Sequence, residues 1–135
     1  MTAVRMHQTD YLFVYGTLVD PKANPWAARL WRGARAAGEG WFQGRLYRVA
    51  HYPGVVPSDD PDDKVRGQLV RLSRPAAILP ALDAYEGVPD LYIRQQALVT
   101  KVGGEQVMAW IYIYNRPVDR LSRIRSGDFR RVFSS

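Results

Sequence analysis

The chain has 135 residues, 47% hydrophobic and 24% charged, with no cysteine and a formal net charge of +6. That length fits one domain, residues 1–135, able to bury roughly two thirds of its unfolded surface, and the composition is that of a soluble globular protein rather than a disordered or fibrous one. Disulfides, thiolate nucleophiles and cysteine-based metal sites are excluded, and the longest apolar run, Val107 to Tyr114, spans eight residues against the roughly 20 of a membrane-crossing helix.

The first ten residues, with Arg5, His7, Gln8 and Asp10, lack the apolar centre of a secretory signal, so a cytoplasmic location is expected. Tyr11 to Tyr15 is aromatic and β-branched and ends at Gly16, which reads as a buried strand entering a tight turn. Asn24-Pro25 predicts a helix start, with Asn24 as cap and Pro25 at the first helical position, running through Trp31 and closed by Gly33 or Gly38. Glu39 to Val49 mixes aromatics with Gly40 and Gly44, the signature of a long, bent or bulged strand suited to a closed barrel. Tyr52-Pro53-Gly54 reads as a turn, the acidic run Asp59 to Asp63 as a solvent-exposed one, and Val65 to Leu72 as another strand.

Ser73 to Gly87 is expected to be helical, with Ser73 able to cap, Pro75 near the start, and Pro80 dividing it into two short helical segments. Glu86 ends that segment. Tyr92 to Val102 should then pair with Glu105 to Tyr114 across a two-residue Gly103-Gly104 turn. On the second of these strands Val107, Ala109, Ile111 and Ile113 alternate with Met108, Trp110, Tyr112 and Tyr114, so both faces should be at least partly buried. Six arginines (Arg116, Arg120, Arg123, Arg125, Arg130, Arg131) crowd the last twenty residues and predict a solvated face, partly offset by Asp119 and Asp128.

The motifs of serine hydrolases, zinc proteases and nucleotide-binding loops are missing, and the two histidines, His7 and His51, have no metal-ligand spacing. No metal or cofactor is therefore expected. Carboxylate acid/base work remains, and there are three glutamates. Glu39 lies between glycines and Glu105 beside the hairpin turn, both wet positions, whereas Leu82, Tyr85, Val88 and Leu91 surround Glu86 in sequence. An apolar setting raises a carboxyl pKa above its ordinary value of about 4.3, which suits a general base, although a glutamate at a helix end is by itself more often a solvated surface group.

Tyr15-Gly16-Thr17-Leu18 resembles the Y-G-[ST]-L signature of the γ-glutamylcyclotransferase-like superfamily, which includes the γ-glutamylamine cyclotransferases and the plant avirulence-induced proteins. Further matches follow in family order: Gly44-x-Leu46-Tyr47, Tyr52-Pro53-Gly54, Val65-x-Gly67, Leu82-Asp83-x-Tyr85-Glu86-Gly87, Tyr92-x-Arg94, Ala109-Trp110-x-Tyr112 and Ser126-Gly127-Asp128-Phe129. The last is similar to an S-G-D-W ending, with Phe129 in the place of Trp. The resemblance implies an α+β fold, a small mixed β-barrel with flanking short helices. It implies that Tyr15, Gly16, Thr17 and Leu18 contact a small-molecule γ-glutamyl substrate and that Glu86 is catalytic. The reaction it implies is cyclisation of a γ-glutamyl amide to 5-oxoproline with release of an amine, in which the substrate supplies its own nucleophile. Tyr92, Arg94 and Tyr112 are further candidates for the site, with barrel packing as the alternative. Two rivals stand beside this: a non-catalytic small-molecule-binding module of the same fold, and a basic nucleic-acid binder using the arginines with Trp41, Phe42 and Tyr47. The leaving amine and the oligomeric state are not specified by the sequence.

Overall fold

The computed structural model describes residues 8–131. His7 and the segment read against a secretory signal lie mostly outside them, as does the side chain of Arg131.

Strand β1 (Tyr11–Val14) alternates Leu12 and Val14 on one face with Phe13 on the other, and none of the three is exposed. Helix α1 (Pro25–Arg32) starts as its sequence demands: the Asn24 side chain accepts from the amide of Ala27 at 2.8 Å, Pro25 needs no donor there, and Gly33 ends the helix. Strand β2 (Ala34–Arg48) is 15 residues long and its register against β4 (Lys64–Leu72) shifts between Ala36 and Glu39, so the expected bulge is present. Between these strands the chain departs from expectation. Pro53-Gly54 does not turn but opens strand β3 (Pro53–Pro57), paired antiparallel with the end of β2. A proline is tolerated there because it is the first residue of a strand at the edge of the sheet.

Helix α2 (Pro75–Glu86) is continuous through Pro80. The missing N–H would have met only the carbonyl of Ala76, so one hydrogen bond is lost near the amino end and the helix carries on. Ser73 does not cap it; its hydroxyl donates to the carbonyl of Gly33 at 2.6 Å and ties the two helix connections together. Gly87 closes α2 in the left-handed conformation. Strands β5 (Tyr92–Lys101) and β6 (Gln106–Tyr114) pair throughout, and the Lys101 amide donates to Glu105, so the loop is the three residues Val102-Gly103-Gly104 rather than two. A two-residue strand β7 (Ser122–Arg123) adds to β2.

The ladder runs β3-β2-β4-β1-β6-β5, and β2 pairs again with β5, which closes five strands into a barrel. The contact of β1 with β6 is parallel and the others are antiparallel, so the barrel is mixed. The two faces of β6 go to two cores. Ala109, Ile111 and Ile113 join Phe13, Tyr15, Phe42 and Leu69 inside the barrel, with Phe129 of the Ser126-Gly127-Asp128-Phe129 ending packed among them. Trp110, Tyr112 and Tyr114 face outward with Leu12 and Val14, under Ala27 and Leu30 of α1 and Leu79 and Leu82 of α2. Phe42 is thereby buried and cannot stack on a base.

Asp63 corrects the reading of the acidic run. Asp59, Asp60 and Asp62 are exposed, but Asp63 is buried and holds Arg45 Nε at 2.8 Å, Arg123 Nη2 at 2.7 Å and the Ser58 hydroxyl at 2.6 Å. The hydrogen bonds from Arg45, Ser58 and Arg123 hold its carboxyl far below the usual carboxylate range. Arg123 and Arg130, the latter paired with Asp128 and Glu39, are thus structural members of the arginine-rich segment, while Arg116, Arg120 and Arg125 face solvent. Among the described residues no helix is long and apolar enough to cross a membrane.

Candidate active site

A cleft of about 360 Å³ opens where β1 runs out into the loop Tyr15 to Leu18. Its walls include Tyr15, Gly16, Thr17, Leu18, Glu86, Tyr92 and Tyr112, so the structure gathers seven of the eight residues singled out from sequence around one space. Arg94 is the exception. Its guanidinium grips Asp83 with two hydrogen bonds (2.7 and 3.0 Å) and lies 4.3 Å from the centre of the Trp110 ring, on another surface of the molecule. Asp83 in turn accepts from the Tyr112 hydroxyl at 2.8 Å, so Arg94 touches the cleft only through its neighbours.

The loop is held by its carbonyl groups. Gly16 O accepts from the amide of Val19, Thr17 O from the Asn24 side chain at 2.9 Å, and Leu18 O from the Trp31 indole at 2.9 Å. Asn24 therefore caps α1 with its oxygen and anchors the loop with its nitrogen. No acceptor among the described residues takes the amides of Gly16, Thr17 or Leu18. Gly16 is required by proximity rather than by a positive φ: a Cβ there would stand 2.8 Å from Cγ of Pro53.

The tyrosines form walls rather than donors. Tyr15 donates to the carbonyl of Tyr112 at 2.6 Å, Tyr92 to the carbonyl of Pro53, and Tyr112 to Asp83. Burial, with the nearby Glu86 adding to it, pushes all three phenols up, so each keeps its proton and spends it inside the protein.

The cleft is also lined by Glu86, the carboxylate among its walls. α2 delivers it: Leu82, one turn earlier, is fully buried against the barrel, and Gly87 turns the chain away immediately after. No described group donates a hydrogen bond to it or pairs with it. Desolvation pushes its pKa up to about 7, where a carboxyl exchanges protons readily near neutrality. Glu39 and Glu105 are exposed and paired with Arg130 and Lys101. Sequence reasoning did not assign Tyr52, Pro53 and Asn24 to the site. The Tyr52-Pro53-Gly54 motif was the available signal for the first two; for Asn24 the helix-cap role masked the second contact.

Residues 12–131 match the family described as Gamma-glutamyl cyclotransferase, AIG2-like. The chain is 35% identical over 119 residues to the Gamma-glutamylcyclotransferase family protein YtfP of Escherichia coli strain K12, covering 87% of this chain and 94% of that protein. The solution structure of ytfP from Escherichia coli superposes with a TM-score of 0.63 at 32% identity, over 88% of this chain and 95% of that one. An AIG2-like protein from Mus musculus shares the fold, with a TM-score of 0.65 at 22% identity over 82% of each chain.

Proposed function

Because the chain belongs to the γ-glutamyl cyclotransferase, AIG2-like family, we propose that it converts γ-glutamyl amides into 5-oxoproline and a free amine, with Glu86 as the proton carrier. One observation carries this reading: an unpaired, desolvated carboxylate lines the same cleft as Gly16, Thr17 and Leu18, whose amides have no acceptor among the described residues. The amides of Gly16, Thr17 and Leu18 suit an anionic or carbonyl oxygen of the glutamyl portion. Glu86 takes a proton from the α-ammonium. The freed nitrogen attacks the γ-carbonyl carbon, forming the ring C–N bond, and negative charge builds on the carbonyl oxygen beside the loop amides. Protonated Glu86 then gives its proton to the departing nitrogen as the amide C–N bond breaks, and the regenerated carboxylate takes the second proton that the ring nitrogen must lose and passes it to the released amine, which leaves as an ammonium. The nucleophile belongs to the substrate, so the protein supplies positioning and one proton shuttle, the latter typically worth about 10²–10⁴-fold.

The test is incubation with a set of γ-glutamyl amides, following 5-oxoproline and amine by mass spectrometry. Turnover is expected in the native protein, and Glu86→Gln, which keeps the shape but cannot accept the proton, is expected to lower kcat by about a hundredfold or more. Near-normal turnover in that variant would remove the mechanism. Binding of an amide without any product would favour the non-catalytic module instead.

A further inference from the structure

Glu86 lines a second space as well. A chamber of about 510 Å³ lies against the first cleft, and the two share Thr17, Tyr52, Glu86 and Tyr92 as walls. His51, Tyr85 and Leu91 complete it. We infer that this chamber receives the departing amine and that it selects amines bearing a flat apolar group and no carboxylate. The inference rests on the cyclotransferase reading and adds the leaving-group class to it.

The argument begins with the shuttle. One carboxylate must reach the α-nitrogen and then the departing nitrogen, so the two halves of the substrate lie on either side of it. The loop amides hold the glutamyl half in the first cleft, which leaves the chamber across Glu86 for the amine. Its surface is largely aromatic, and its rings are in contact with other rings: Tyr85 packs on Trp26 with ring centres 5.1 Å apart, and His51 stands edge-on to Tyr52 at 5.0 Å. Tyr85 is itself 39% exposed, so its ring is open to a ligand. Among the described residues no lysine or arginine lines the chamber; Arg29, stacked on Trp26 5.2 Å from the ring centre, does not contribute to its wall. An amine carrying a carboxylate would place that charge beside Glu86 with no arginine or lysine to answer it, which is unfavourable in a partly desolvated space. A ring would instead lie against Tyr52, Tyr85 and Tyr92.

Two substrates that differ only in this carboxylate test the idea: the γ-glutamyl amide of phenethylamine and γ-glutamylphenylalanine, with γ-glutamylmethylamide as a third that barely enters the chamber. At pH 8, kcat/KM is expected to be at least about tenfold higher for the phenethylamide than for the phenylalanine conjugate, since one conjugate leaves an unanswered charge beside Glu86 in a partly desolvated site. Tyr85→Ala is expected to reduce the preference for phenethylamide over methylamide by about fivefold or more, because it removes the ring that the phenyl group meets. Equal or faster release of phenylalanine would overturn the inference while leaving the cyclotransferase reading intact, and so would an unchanged phenethyl-to-methyl ratio in Tyr85→Ala. If none of the three amides gives 5-oxoproline, the cyclotransferase reading itself fails, and the inference falls with it.

Discussion

A carboxyl that burial holds near pH 7 costs the fold stability, and the sign of that cost can be measured at Glu86. Its folded pKa, about 7, is above the value of 4.5 expected in an unfolded chain. Stability from this group is therefore fully present below about pH 4.5 and is lost as pH rises to 7, because the folded state binds the proton more tightly. A displacement of this size corresponds to roughly 3 kcal/mol, reduced by whatever water enters the cleft. Glu86→Gln should accordingly raise Tm by several degrees at pH 8 and leave it nearly unchanged at pH 4; a Tm lower than native at pH 8 would show that the carboxylate is stabilised in the fold. In kinetics the same group should give kcat/KM an acid limb with a midpoint near 7. Apolar neighbours in sequence set Glu86 apart from Glu39 and Glu105, but it was the resemblance carried by Leu82-Asp83-x-Tyr85-Glu86-Gly87 that singled it out. Arg94 could not be placed, because the carboxylate that claims it, Asp83, lies on α2 while Arg94 lies on β5.

The loop from Tyr15 to Leu18 and helix α1 act as one unit through Asn24, and the two ends of that side chain can be separated. Asn24→Asp keeps an oxygen for the Ala27 amide but has no N–H for the carbonyl of Thr17. It should hold Tm close to native, whereas Asn24→Ala should lose about 1 kcal/mol with the cap. Both variants should raise KM several-fold, read from initial rates, as the loop amides lose their fixed direction. Within the loop, Thr17→Ala should be mild because the backbone donor survives. Gly16→Val should be severe, since even its Cβ would stand 2.8 Å from Pro53. A fully active Gly16→Val beside a dead Thr17→Ala would assign recognition to the threonine hydroxyl. Elements with local chemistry were the legible ones: Asn24-Pro25 starts α1, and Gly103-Gly104 turns β5 into β6. Strand β3 was not, because Pro53-Gly54 carries the residue types of a turn and its strand geometry comes from pairing with β2. Nor was the continuity of α2, where packing of Leu79 and Leu82 on the barrel outweighs the one hydrogen bond that Pro80 removes.

Closure of the barrel is a property of the whole chain: the glycines and aromatics of Glu39 to Val49 suit a closed barrel, but no local pattern says which strands meet. β1 meets β6 at Leu12 and Trp110, and β2 meets β5 at only two pairs, Gly40 with Lys101 and Trp41 with Thr100. What β2 does carry is the permission for that seam. Gly40 is buried between β4 and β5, and a Cβ on it would come within 2.6 Å of the carbonyl oxygen of Thr100 and 3.3 Å of the Lys101 Cα. The obstacle is backbone on the neighbouring strand, which cannot swing aside as a side chain would. Gly40→Val should therefore push β5 off β2 and cost about 1–3 kcal/mol, a fall in Tm of roughly 3–10 °C. Ala36→Val, on the same strand at an exposed position before the bulge, should be close to neutral. The seam also lies far from the chemistry: Thr100 and Lys101 end the strand that Tyr92 begins, and Tyr92 is the part of β5 that lines the cleft. Below its lowered midpoint Gly40→Val should consequently keep near-native kcat and KM, while amide exchange at the Lys101 end of β5 becomes faster than at the Tyr92 end. An unchanged Tm and exchange pattern would mean that the barrel does not depend on this seam, and a loss of kcat ahead of any loss of Tm would mean that closure is felt at Glu86.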